Sequence, residues 1–212
     1  MPRFSTVLFD LDGTLIDTNE LILRSFAYTS QVHLGRPWTK EELLPHFGLP
    51  LREQLQLLAP GRVEELLTTY SRFNEVEHDR LARPVPQARR VLSALQRSGI
   101  KLGVVTSKRR HLAERALRHF RLWPYFQAVV CCEDTERHKP YPEPVLLALE
   151  RLEARAADTL FLGDTPCDLL AGKAAGVQTA AVSWSLLPRE QLATWEPDFW
   201  LSRLTDLLPL CC

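Results

Sequence analysis

A chain that runs Val7-Leu8-Phe9 directly into Asp10-Leu11-Asp12-Gly13-Thr14 has few ways to fold. The three apolar residues suit a strand covered on both faces, and such a strand carries charge only past its carboxyl edge. Ligands of open α/β sheets bind at that edge. Asp10 and Asp12 are therefore expected at a ligand site, at the end of the first strand of a parallel sheet.

The remaining pattern fits such a sheet. From about Leu15 to Ala82 the chain reads as helical, with a helix over 19–32 and a loop over 45–51. Val63, Leu66, Leu67, Tyr70 and Phe73 keep the spacing of one helix face, opposite Glu64, Arg72, Glu75 and Glu77. From Pro84 onward helices and strands alternate. Helices are expected over 87–97 and 109–119, after Pro144 and after Pro166; strands over 100–106, from Phe126, in TLFLGD ending at Asp164, and from Thr179. That alternation predicts an α/β fold with a parallel sheet and right-handed crossovers. The core takes residues 1–14 and 83–212, and 15–82 form an inserted helical domain.

Charge excludes some functions. The 212 residues balance 26 basic against 26 acidic side chains, so nucleic acid and anionic membranes find no general attraction. Asp10 and Asp12 interrupt the N-terminal apolar run, which argues against a signal peptide or membrane span and for a cytoplasmic enzyme. Cys131, Cys132, Cys167, Cys211 and Cys212 have neither a disulfide framework nor a zinc spacing and are expected to stay reduced. Cys167 reads as a small residue packed at a helix start.

Polar residues recur where strands end: Asp10 with Asp12, Thr106 with Ser107, Lys139, and Asp164 with Asp168. Each alone is an ordinary turn, cap or solvated residue, but a parallel sheet gathers them at one edge. Crowded carboxylates must share protons, pair with cations or bind metal. Mg2+, a hard cation with oxygen ligands, answers that need, and phosphate is its natural companion. Thr106, Lys139 and the backbone N–H groups of the Gly13 turn are the candidates to hold phosphate oxygens. The chemistry indicated is phosphoryl transfer, with a carboxylate able to serve as nucleophile.

The strings DLDGT, VVTSK, HKPYPEP and GDTPCD together resemble the four motifs of the haloacid dehalogenase superfamily. The resemblance implies a Rossmann-like core with a helical cap at 15–82 that closes over the site. It makes Asp10 the nucleophile and Asp12 the general acid and base, with Thr106, Ser107 and Lys139 on the substrate phosphate. Metal is then held by the carboxylates of Asp10 and Asp164 and the backbone carbonyl of Asp12, and Asp168 orients the metal's water shell. Arg52, in the cap loop HFGLPLREQL, is the candidate for a second phosphate, with Lys108 or Arg109 of the basic run 108–110 as alternates.

Within that superfamily LIDTNELI, HKPYPEP, AAVSW, PDFWL and DLLPL are similar to inorganic pyrophosphatases of Gram-positive bacteria. This implies Mg2+-dependent hydrolysis of pyrophosphate to two phosphates through an aspartyl-phosphate. Tyr141 and Thr165-Pro166-Cys167 depart from that group's usual residues without removing a catalytic group. The rival is a phosphomonoesterase of phosphoglycolate phosphatase type, which shares every core motif. A dehalogenase has no use for Asp12 as a phosphoryl acid and base.

Overall fold

The computed structural model describes residues 3–47 and 49–211 and divides into two compact units, Met1–Asp17 with Pro84–Cys212, and Thr18–Arg83. The first is built on strand β1, Thr6–Phe9, all four residues of which are buried. After β2 (Ile16–Asp17) and β3 (Arg83–Pro84), which pair as a separate ribbon, the larger sheet continues with β4 (Lys101–Val105), β5 (Ala128–Val130), β6 (Thr159–Gly163), β7 (Gln178–Val182) and β8 (Phe199–Leu201). Its order is β5-β4-β1-β6-β7-β8, and every pairing is parallel.

The helices are numbered in chain order. The second unit supplies α1 (Asn19–Leu34), α2 (Lys40–Leu43), α3 (Leu51–Leu58) and α4 (Val63–Leu81); the first supplies α5 (Ala88–Arg97), α6 (Arg110–His119), α7 (Glu143–Leu152), α8 (Pro166–Ala174), α9 (Arg189–Ala193) and α10 (Leu208–Cys211). Val145, Ala148, Leu149 and Leu152 of α7 and Ala171 of α8 pack on Leu8, Val105, Val130 and Phe161 from four strands. Each of these strands is apolar because its faces are covered, as parallel strands with helical crossovers require.

Register decides where the polar residues stand. Phe9 pairs with Val104 of β4 and with Leu162 of β6, so all three strands end within one or two residues of Asp10, Thr106 and Asp164. The chain order reverses beside β1, whose neighbours are β4 and β6, and this is the switch point at which open α/β sheets bind ligands.

The second unit has its own core. Phe26 of α1 lies 4.9 Å from the Tyr70 ring, 6.1 Å from Trp38 and 6.2 Å from Phe47, with Leu43, Leu55 and Leu66 closing around them. Val63, Leu66 and Tyr70 are buried on α4 as the helical spacing predicts. Phe73 instead stacks on Tyr28 at 4.6 Å and is half-buried.

Three local expectations change. Ile16–Asp17 is a strand, although the stretch from Leu15 reads as helical; two residues are too few to carry a period. Leu44–His46 forms a 3-10 turn that runs into the start of the expected loop, and Gly48 of that loop lies outside the described residues. Phe199–Leu201 adds an edge strand beyond the strands expected from the sequence. Because Leu8 is fully buried in the central strand, Leu8→Ala should cost about 2–5 kcal/mol in urea unfolding, whereas loss of under about 1 kcal/mol would mean that this layer is not the packed centre of the unit.

Candidate active site

The turn after β1 is shaped by one glycine. Gly13 has φ +84, and a Cβ added there would come within 2.2 Å of Asp164 Oδ2. Only glycine gives both the left-handed backbone and the close approach. Close approach alone operates under Asp168, since a Cβ on Gly163 would meet Asp168 Cβ at 2.1 Å. Two acidic side chains are thus packed against backbone that carries no side chain.

Asp10, Asp164 and Asp168 are all buried, and an oxygen from each lies within 4.8 Å of the other two. Among them stands the Lys139 ammonium, which donates to Asp10 Oδ1 at 2.6 Å, to Asp168 Oδ1 at 2.6 Å and to the Val105 carbonyl at 3.2 Å. Its Nζ also lies 5.9 Å from the centre of the buried Phe161 ring. Lys139 is thereby fixed by three acceptors and faces an aromatic surface.

The carboxylates differ in what they have left to offer. Both oxygens of Asp168 are committed, Oδ1 to Lys139 and Oδ2 to the Thr165 amide at 3.0 Å and its hydroxyl at 2.7 Å. Among the described residues the Asp164 carboxylate receives only a long bond from the Thr14 hydroxyl, 3.4 Å to Oδ1, while its backbone carbonyl accepts from the Ser185 hydroxyl at 2.7 Å. Asp164 is the least engaged of the three and the best placed to ligate a cation.

Asp12 sits at the rim, where Lys108 Nζ reaches both of its oxygens at 2.9 Å. Thr106 is buried and its hydroxyl accepts from the Lys108 amide at 3.1 Å; Ser107 and Arg109 are exposed. Arg52 lies in the other unit on an exposed helix start, where its guanidinium donates to both oxygens of Glu64, with Nη2 to Oε2 at 3.1 Å. Of the turn's N–H groups expected to hold phosphate, that of Gly13 is already engaged, donating to the Ile16 carbonyl at 2.7 Å. The turn uses its own donor to close itself. Cys167 is half-buried and its thiol is free of any disulfide.

Sequence reading missed two supports. Thr165 is recoverable, because T-P-C-D is a helix start with Thr at the N-cap, Pro at N1 and an acid at N3. Ser185 leaves no local signal, since its acceptor is 21 residues away.

Burial pushes the Asp10 carboxyl up to about 7; Lys139 opposes this, while Asp168 and Asp12 add to it. Asp164 is raised well above the usual range for the same first reason, burial, with the Asp10 and Asp168 charges next. Lys139 shows the converse balance: burial disfavours its charge, but Asp10 and Asp168 outweigh that and raise it. One ammonium does not neutralise three buried carboxylates. The donor set, all hard oxygens around uncompensated negative charge, fits a divalent cation.

The sign of the pH effect follows. Between the ordinary Asp value of 3.8 and about 7 the folded chain holds a proton on Asp10 that the unfolded chain has lost. This group therefore subtracts stability as pH rises through that window. With metal chelated, Asp10→Asn should gain steadily on the wild type in thermal unfolding as pH rises from about 4 to about 7. A difference between the two that does not change with pH would place Asp10 in a solvated environment.

Comparison with known proteins agrees with this arrangement. Residues 7–182 match the family model described as haloacid dehalogenase-like hydrolase. The chain is 47% identical, over 98% of its length and 94% of the relative's, to a PpaX protein of Caldanaerobacter subterraneus subsp. tengcongensis. It is 43% identical to Pyrophosphatase PpaX of Anoxybacillus flavithermus, over 98% of this chain and 97% of that one. Among solved structures, a haloacid dehalogenase-like family hydrolase from Streptococcus pneumoniae superposes with a TM-score of 0.86 at 23% identity, covering 98% of each chain. A Lactobacillus plantarum protein assigned to the phosphoglycolate phosphatases gives 0.87 at 23%, covering 98% of this chain and 99% of that one; at such identities the likeness is one of fold. With its DxDGT turn, its parallel core and a family match over most of its length, the chain belongs to the haloacid dehalogenase-like hydrolases.

Proposed function

We propose that this hydrolase cleaves inorganic pyrophosphate to two phosphates through an aspartyl-phosphate on Asp10, with Mg2+ as cofactor. The observation that carries the substrate is identity of 43% to Pyrophosphatase PpaX over nearly the whole of both chains. The site supports the chemistry. Asp10 is a buried carboxylate at the end of the central strand, held by Lys139 at 2.6 Å, which fixes the direction in which its free oxygen can attack.

Asp10 attacks phosphorus, the bond to the bridging oxygen breaks, and Asp12 gives that oxygen its proton as the first phosphate leaves. Asp12 then takes a proton from water, water oxygen adds to phosphorus, and the bond to Asp10 is released as the second phosphate departs. Thr106, Ser107 and Lys139 hold the transferred group. Mg2+ would be held by Asp10, Asp164 and the Asp12 carbonyl, with Asp168 acting through its water shell, and would supply charge neutralisation for the phosphoryl oxygens. The second unit serves as a cap that excludes water. Free thiols at Cys131, Cys132, Cys167 and Cys211 accord with a cytoplasmic place for the enzyme.

The nucleophile is tested directly. Asp10→Asn should still unfold in one cooperative transition and lower turnover at least about a thousandfold; no phosphoenzyme should be trapped by rapid acid quench with labelled substrate. Trapping at the wild-type level would move the nucleophile elsewhere.

Selectivity for pyrophosphate requires cationic contact with the distal phosphate. Arg52 is the candidate from the second unit and must exchange Glu64 for phosphate, a small cost because that ion pair is solvent-exposed. Arg52→Ala should reduce kcat/KM on pyrophosphate by about tenfold to a hundredfold while sparing phenyl phosphate. Parallel assays with Mg2+ on pyrophosphate and phosphoglycolate settle the rival reading: higher wild-type efficiency on phosphoglycolate replaces the pyrophosphatase assignment with a phosphomonoesterase.

A further inference from the structure

The reaction just described uses Asp12 but not the ion pair that Asp12 makes with Lys108, and the geometry of that pair is specific. Lys108 Nζ lies 2.9 Å from both carboxylate oxygens of Asp12, and its side chain is only 9% exposed, against 28% for Asp12. The Lys108 backbone cannot follow a moving partner, because its amide donates to Thr106 Oγ1 at 3.1 Å and its carbonyl accepts from the Cys132 amide at 3.1 Å. Only the four-carbon stem is left to swing.

We propose that Lys108 is a positioning residue that latches Asp12 away from its proton-transfer work until the distal anionic group of a substrate takes the ammonium. This rests on the reading of Asp12 as general acid and base. A nearly buried ammonium needs an anion beside it, since leaving such a charge unpaired is strongly unfavourable. In the resting site that anion is Asp12, gripped symmetrically and so held in one orientation. A distal phosphate carries about twice the charge of a carboxylate and outcompetes it at equal distance. Lys108 then turns to the substrate, and the Asp12 carboxylate, no longer neutralised by the ammonium, takes up a proton from solvent and faces the bridging oxygen as its acid. A substrate whose leaving group is apolar has nothing to offer the ammonium, and the latch stays shut. The pair thus converts recognition of the leaving group into readiness of the acid, and selectivity appears in turnover as well as in binding.

Such a latch makes a prediction of opposite signs. In Lys108→Met, kcat/KM on pyrophosphate should fall by about tenfold or more, because the distal contact is lost. Turnover of phenyl phosphate should rise severalfold, because Asp12 is no longer held. Lys108→Gln should move both substrates in the same directions. Calorimetry provides a readout apart from turnover: methylenediphosphonate should bind the variants about tenfold or more weakly, and inorganic phosphate with unchanged affinity. The proposal is overturned if phenyl phosphate turnover falls or stays level in both variants, as a merely structural lysine would give, or if diphosphonate affinity is unchanged. Phosphoglycolate, whose carboxylate is also a distal anion, separates this result from the choice of substrate. A wild type that prefers it, with the opposite-sign split against phenyl phosphate preserved, keeps the latch and removes the pyrophosphate reading.

Discussion

One buried ammonium holds this site together. Lys139 spans Asp10 and Asp168 at 2.6 Å each, and without it three carboxylates in a closed corner of the sheet would repel one another and take up protons. The lysine offsets only part of what burial, and after it carboxylate repulsion, costs the charged form, which is why Asp10 is still pushed up to about 7. The remainder is a standing demand for positive charge. A divalent cation meets it, and the charge the cation brings is what lets a phosphate approach carboxylates that would otherwise repel it.

The surrounding structure can be read as the means of keeping those groups close. Parallel register brings the ends of β1, β4 and β6 level, while Gly13 and Gly163 make room for the Asp164 and Asp168 side chains. Thr165 and Ser185 take up the acceptor capacity that burial would otherwise leave idle. Rigid supports of this kind matter because a nucleophile displaced by about 1 Å loses much of its advantage.

The outer cations are arranged differently. Lys108 is held by Asp12 and Arg52 by Glu64, so each cation proposed for substrate contact rests on a carboxylate of its own unit. The two pairs are not equivalent in energy. Arg52 and Glu64 are exposed and exchange partners at little cost. Lys108 is nearly buried and releases Asp12 only to another anion.

Much of this was legible in the chain itself. Val7-Leu8-Phe9 before DLDGT announces a covered strand ending in acid, and the alternation after Pro84 announces a parallel sheet, because side-chain period and strand-end chemistry are local properties. The residues of the cluster, Asp10, Lys139, Asp164 and Asp168, could be named for the same reason. Which partner each would take could not. Lys108 reads as one member of a basic run, and the Gly13 amide reads as a phosphate donor; the first is bound to a residue 96 positions away and the second to its own turn. β2 and β8 are too short to show a period. The sequence by itself determined the fold class and the chemical groups of the site. Only the tertiary structure decided their pairing, because hydrogen bonds and ion pairs are settled by distance in space between segments whose separation along the chain carries no information about it.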